Sequence, residues 1–362
     1  NGVMPEESDN MFAGKLLTFE SGAPGSFQTF EAFYDAVKAQ IKYAIDEAHA
    51  NLLICEKLLA EQFNLPTFTV LLEGALEKGK DATAGGAKVN VGPTMNMCGF
   101  GTMVDSVAAI KKVVFEDRAA TLEEVCAACM QNFVGYEDLR TKLQAAPKYG
   151  NDDDFADAIA ADLWKWFSTC TMRLKMYRGH YCDAAVQMVQ SNVGYGAMTG
   201  ATPNGRLAGM PLSDTMSATQ QADTHGPTAA ARSYGKLDFP AYTNGTLLNM
   251  WISQSELIEQ RRIAMTTIRD MPLDCPEATY VEPVYKEAGM RNFTNLVRTM
   301  LNDYGVYHVQ FNTINKQTLI DAKAHPENYP TLMVRVAGYS VYWTDIAERV
   351  QDDIINRTEH TF

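Results

Sequence analysis

Apolar side chains recur every three or four positions from about residue 30 to residue 59, at Phe33, Val37, Ile41, Ile45, Ala48, Leu52, Cys55 and Leu59. That spacing lays one stripe along a helix of 3.6 residues per turn, so it predicts one long amphipathic helix or two in succession. Val104, Val107, Ala108, Ile110, Val113 and Val114 repeat the pattern, with Lys111 and Lys112 near the end the helix dipole favours for cations. Helix continues over Thr121 to Phe133. Asn151, followed by three aspartates, reads as a start signal, because a capping side chain and carboxylates meet the unpaired amides of a first turn. From there Phe155, Ile159, Leu163, Trp166, Cys170, Leu174 and Tyr177 carry the stripe to Gly179. Short apolar runs bounded by turn residues, Gly245 to Ile252 and Val306 to Phe311, predict strands. Within the second, alternation puts His308, Gln310 and Asn312 on one face. The final stretch, Thr344 to Arg357, predicts a charged amphipathic helix. Two segments, Gly74 to Gly101 and Asn192 to Pro211, are so rich in Gly, Thr, Asn and Pro that they predict irregular structure. Helices alternating with short buried strands argue an α/β fold.

Charge narrows the function. With 44 acidic and 31 basic residues among 362, the net charge of −13 argues against a broad nucleic-acid surface or an anionic membrane surface. No apolar run reaches the roughly 18 to 20 residues that cross a bilayer. The chain reads as soluble and cytoplasmic, and its length suits one large domain or two smaller ones. Seven cysteines, an odd and scattered set, read as reduced thiols. Cys126 and Cys129 have metal or redox spacing, but they fall on one helix without partner ligands, and no metal site is expected. The chain opens Asn1-Gly2-Val3 rather than with methionine, as a processed product or the downstream part of a longer polypeptide would.

The candidate chemistry centres on Gly338, in Arg335-Val336-Ala337-Gly338-Tyr339-Ser340. A glycine there can be a turn residue and no more. Glycine is also the residue whose α-carbon radical is least hindered, since no side chain forces it out of the plane shared with the flanking amide nitrogen and carbonyl. Such a radical needs a buried, oxygen-free site. The string from Leu332 to Trp343, followed by Val350-Gln351-Asp352-Asp353-Ile354-Ile355 and Arg357-Thr358-Glu359, resembles the C-terminal signature of glycyl radical enzymes. Upstream, Asn192-Val193-Gly194-Tyr195-Gly196 through Thr202-Pro203-Asn204-Gly205-Arg206 is similar to that family's Gly-rich block, with Asn204 where Asp is commoner. Gly226 to Ala230, Glu77 to Ala87 and Val104 to Lys112 extend the resemblance over nearly the whole chain.

The resemblance implies a ten-stranded α/β barrel of two half-barrels, of which this chain supplies the second half, with surrounding helices and a C-terminal glycyl radical domain. On that footing residues 1–235 are barrel and 236–362 the glycine radical domain, with the radical loop at 335–340. It further implies that no cofactor is tightly bound, and that a separate S-adenosylmethionine and iron–sulfur activating enzyme makes the radical at Gly338. The radical then passes to a cysteine whose thiyl takes hydrogen from substrate. The family's Gly-Cys-Val-Glu type of motif does not occur here. Cys55, on a helix face, and Cys98, in an irregular segment, are weak imitations better read as packing residues. The expected partners are therefore an N-terminal half carrying the cysteine, the activating enzyme, small accessory subunits and further copies in a higher oligomer. Asn249, Trp251, His308 and Gln310 are the candidate substrate-pocket residues. Trp251 stands where eliminase relatives more often have a basic residue. With 18 methionines and an insertion from Arg261 to Arg291, it tilts the expectation toward an apolar substrate. That favours a synthase adding a hydrocarbon radical to fumarate, against an arylacetate decarboxylase or a dehydratase-like C–X lyase of the same family. A non-catalytic radical or interaction subunit is the reading from another class.

Overall fold

A computed structural model describes residues 16–264, 267–268, 271–272 and 279–362, with side chains described outside 260–281. The long helix forms as Phe30–Gln62, and Thr29 caps it by accepting the Ala32 amide at 3.2 Å. The helix Phe100–Ile110 is buried on nearly every face and runs on into a π turn, Lys111–Glu116. It packs on the helix Asp154–Thr171 through Val104, Val107, Ala160, Leu163 and Trp164. Asp105, the one carboxylate in that buried helix, accepts the Tyr149 amide at 2.9 Å and the Thr219 hydroxyl at 2.6 Å. Burial still pushes its pKa up to about 6.

Four sequence expectations move. Asp153, not Asn151, caps the helix that follows, accepting the Phe155 amide at 2.9 Å. Asn151 instead ties loops together, donating to Ala222 O at 2.8 Å and accepting the Thr224 amide at 2.8 Å. The same helix stops at Thr171 rather than Gly179, because the chain folds back into a small hairpin in which Lys175 pairs with Tyr181 and Gly179 turns with φ +89°. The stretch beginning at Asn192 is not irregular throughout, since Ser191–Met198 is helical. Gly196 is needed there for closeness, because a Cβ on it would sit 2.4 Å from the Met210 carbonyl oxygen. The C-terminal helix is also shorter than expected, at Glu348–Ile355.

The central strands are parallel. Thr94–Asn96 pairs with Asp183–Ala185, whose continuation at Val186 bridges to Thr246. Leu248–Ile252 then lies between Val309–Asn312 and Glu359–His360, with Asn249 opposite Gln310 and Trp251 opposite Asn312. All five residues of Leu248–Ile252 are buried, as in a parallel strand covered on both faces. Leu248, Met250 and Ile252 join the main core, while Trp251 joins a second cluster with Leu319, Val334, Val336 and Trp343. The main cluster draws on both sides of residue 235, from Phe100 and Trp164 to Leu248 and Val306. Within the expected insertion, the backbone of Ile258–Ala264 pairs antiparallel with Thr279–Tyr285, and Glu287–Arg298 is helical. The remaining residues of that segment, 265–266, 269–270 and 273–278, lie outside the described residues, as does the Asn1-Gly2 start. Among the described residues no helix is long and apolar enough to cross a membrane.

Candidate functional site

A short antiparallel hairpin, Met333–Arg335 with Ser340–Tyr342, holds Gly338 in its turn, and the Val336 amide donates to Tyr339 O at 3.0 Å across the neck. Val336 and Ala337 are buried against the second cluster, whereas Gly338 at the tip is exposed. Its φ of +83° lies in the left-handed region, where a side chain is strained. Space does not demand glycine, since a Cβ would find only Gln310 Nε2, at 3.9 Å. The backbone conformation does.

Two polar networks hold this hairpin. Above the sheet, the Gly338 amide donates to Gln310 Oε1 at 2.9 Å, and Arg335 Nε donates to the same oxygen at 3.1 Å. Gln310 Nε2 faces His308 Nε2 at 3.2 Å. Two donors aimed at one end of the Gln310 amide fix which end is oxygen. His308 Nε2 then accepts, which puts the proton of a neutral imidazole on Nδ1. The Tyr339 hydroxyl accepts from Gln190 Nε2 at 2.6 Å.

Below, Arg357 Nη1 donates to Val336 O at 2.9 Å, while Nη2 lies 3.1 Å from Asp353 and 3.4 Å from Asp214. Asp353 also accepts from Gln220 at 2.8 Å and Asn192 at 3.3 Å, and Asp214 accepts from the Asn249 amide. Burial pushes the pKa of Asp214 up to about 6; Arg357 works against that shift, and Asp353 adds to it. The Gly-rich block, the strand at 249 and the C-terminal helix thus converge on the carbonyl two residues before Gly338.

Of the four candidate pocket residues, Gln310 and Asn249 belong to these two networks. Trp251 is 2 % exposed, and its indole donates to Ile314 O at 2.8 Å within the cluster that backs the hairpin. His308 is exposed beside Gln310. Of the remaining radical-loop residues, Ser340 lies 3.4 Å from Arg335 Nη1. Arg357 and Asp353 lie inside the C-terminal segment that resembles the glycyl radical signature, whereas no local pattern around Asp214 marks it as a site residue.

A cleft of about 690 Å³ opens beside the Gly-rich block, lined by Arg140, Lys148, Asn204, Arg206, Gln220 and His225. Arg206 is consumed by the loop itself, donating to Leu207 O at 3.0 Å and Thr199 O at 3.2 Å. Asn204 accepts the Thr202 hydroxyl at 2.6 Å. Burial raises the thiol pKa of Cys98 to about 11 and of Cys129 to about 12, which keeps them protonated and poor nucleophiles. Cys55 is exposed on the long helix. Among the described residues no thiol lies within 4 Å of a Cβ built on Gly338.

Residues 2–196 match the family described as Pyruvate formate lyase-like, and residues 276–344 match the family described as Glycine radical, which takes in Gly338. The trans-4-hydroxy-L-proline dehydratase of Clostridioides difficile is 34% identical over 352 residues, 96% of this chain and 40% of that protein. An isethionate sulfite-lyase of Desulfovibrio desulfuricans is 35% identical over 99% of this chain and 40% of its own length. The glycerol-bound B12-independent glycerol dehydratase of Clostridium butyricum superimposes with a TM-score of 0.86 at 31% identity, over 96% of this chain and 41% of that one. The chain thus spans about 40% of the length of these relatives. Their names are those of dehydratases and a sulfite-lyase, which moves the expectation away from fumarate addition. Trp251, part of the argument for an apolar pocket, packs in the cluster behind the hairpin.

Proposed function

The chain belongs to the pyruvate formate lyase-like glycyl radical enzymes, and from that premise we propose that Gly338 stores the radical of a dehydratase-like C–X lyase. The observation that carries the reading is the Gly338 turn. Its α-carbon stands at an exposed tip with no side chain, in a left-handed conformation fixed by two separate polar networks. Relatives named for losing water or sulfite support elimination as the reaction.

In this reading the Gly338 radical takes a hydrogen atom from a cysteine thiol, leaving a thiyl radical. The thiyl takes a hydrogen atom from the substrate carbon next to the one bearing the leaving group. The heteroatom on the radical carbon gives up its proton as that group departs with its bonding pair, and the neutral product radical then recovers a hydrogen atom from the cysteine thiol. The cysteine belongs to a part of the enzyme outside this sequence, which also covers the exposed tip. A separate S-adenosylmethionine and iron–sulfur activating enzyme removes the first hydrogen atom from Gly338, and the working enzyme is a higher oligomer. The chain's own part is to present the glycine and exclude water and oxygen from its flanks.

Anaerobic activation of the whole enzyme should give a glycine-centred doublet in paramagnetic resonance, and air should then cut the chain at Gly338. The activated enzyme should release water or sulfite from hydroxyproline, glycerol or isethionate. Turnover of fumarate with toluene or an alkane, and of none of the three, would overturn the elimination reading. An intact, signal-free chain would remove the radical assignment itself.

A further inference from the structure

Gln310 is 5 % exposed, and its amide oxygen is the hydrogen-bond acceptor for the Gly338 N–H. We propose that Gln310 is a positioning residue for the radical, which sets the spin distribution and lifetime of Gly338 rather than contacting substrate. The inference rests on the radical assignment made above and adds to it a named residue with a defined electronic role.

The physical argument runs through the amide nitrogen. A glycine α-carbon radical is stabilised between an electron-donating nitrogen on one side and an electron-withdrawing carbonyl on the other. A strong acceptor on the N–H increases electron density at nitrogen and so strengthens the donating half. At 2.9 Å the bond to Gln310 Oε1 is of ordinary full strength.

Three features suit the residue to this task. Its strand, Val309–Asn312, is paired along its length with Leu248–Ile252, so the backbone below the side chain is fixed. Arg335, on the hairpin itself, donates to the same oxygen at 3.1 Å, and an amide oxygen has two lone pairs with which to serve both donors. His308 meets the other end of the amide at 3.2 Å, which opposes a flip that would turn an N–H toward Gly338. The Gly338 amide is thereby given one acceptor in one orientation. The other backbone tie of the turn, from Arg357 to Val336 O, lies outside the conjugated unit and fixes only position.

The test compares the whole enzyme, activated anaerobically, with Gln310→Met and Gln310→Glu, each labelled with 15N-glycine. Methionine keeps the length and burial and removes the acceptor; glutamate keeps an acceptor. The expected result is a smaller 15N coupling in the doublet of Gln310→Met and a lifetime shortened roughly two- to tenfold, the worth of one hydrogen bond. Gln310→Glu should restore both. In the unactivated protein, deuterium exchange at the Gly338 amide should quicken in Gln310→Met and not in Gln310→Glu. A doublet lost in Gln310→Met but kept in Gln310→Glu also supports the role. Wild-type coupling and lifetime in Gln310→Met would overturn it, as would loss of the doublet in both variants when both fold. Absence of a doublet in the unsubstituted enzyme is a separate outcome, and it counts against the radical assignment instead.

Discussion

Replacing Arg357 by methionine tests whether a buried ion cluster holds the hairpin. Methionine keeps most of the apolar stem, so the change removes charge and hydrogen bonds more than packing. Asp214 and Asp353, 3 % and 1 % exposed, are left without their cation, and Val336 O loses its 2.9 Å donor. Breaking a buried pair from one side costs about 3–5 kcal/mol. The pH dependence is the sharper part. The folded-state pKa of Asp214, about 6, lies above the ordinary carboxylate value of 3.8. The stability linked to this group is therefore fully present below 3.8 and lost as pH rises through about 6. Arg357 lowers that pKa, so its removal raises it and extends the window of loss upward. Each unit by which the pKa rises is worth about 1.4 kcal/mol, so the variant should lose less at pH 5 than at pH 7.5, by at most about 2 kcal/mol. Urea unfolding at the two pH values measures both numbers. A loss under about 1 kcal/mol at pH 7.5, or one that grows on acidification, would refute the reasoning.

Gly338→Ala should cost only about 1–2 kcal/mol in thermal unfolding, the strain of a left-handed alanine, because no atom crowds its Cβ. It should abolish the doublet entirely; a folded alanine variant that still gave the signal would place the radical elsewhere. Alkylation by iodoacetamide at pH 7.5, followed by mass spectrometry, should mark Cys55 faster than Cys98 and Cys129, since burial keeps the thiols of those two protonated. Equal rates at Cys55 and Cys98 would contradict the burial of the latter.

The parts of the fold legible in the sequence are those whose signal is local. The stripe from Phe33 to Leu59 gave the long helix, and Gly338 was legible as a turn, though not as the tip of a hairpin. Where a distant partner decides, the local signal misleads. Gly194 and Gly196 look like loop formers, yet both sit in a helix, and position 196 needs glycine because the Met210 carbonyl leaves no room for a side chain. The apolar stripe of the Asp154 helix runs on through Leu174, but past Thr171 those apolar residues pack from a hairpin instead. Thr94–Asn96 and Asp183–Ala185 are three residues each, too short to show a period, and are strands because they pair with one another 89 positions apart in register.

The site shows the same division. Alternation along 308–312 predicts His308, Gln310 and Asn312 on one face; His308 and Gln310 do meet, and Asn249 lies opposite Gln310 in the neighbouring strand. Nothing local says what such a face meets, and polar residues lining a barrel strand are naturally read as a substrate pocket. In the folded chain that face meets the radical hairpin: Gln310 takes the Gly338 amide, Asn249 braces Asp214, and Asp214 with Arg357 reaches Val336. The same polar side chains that suggested substrate specificity therefore answer to the backbone around Gly338. Exchanging Gln310 or Asn249 should therefore change radical yield and lifetime before it changes which substrate is turned over.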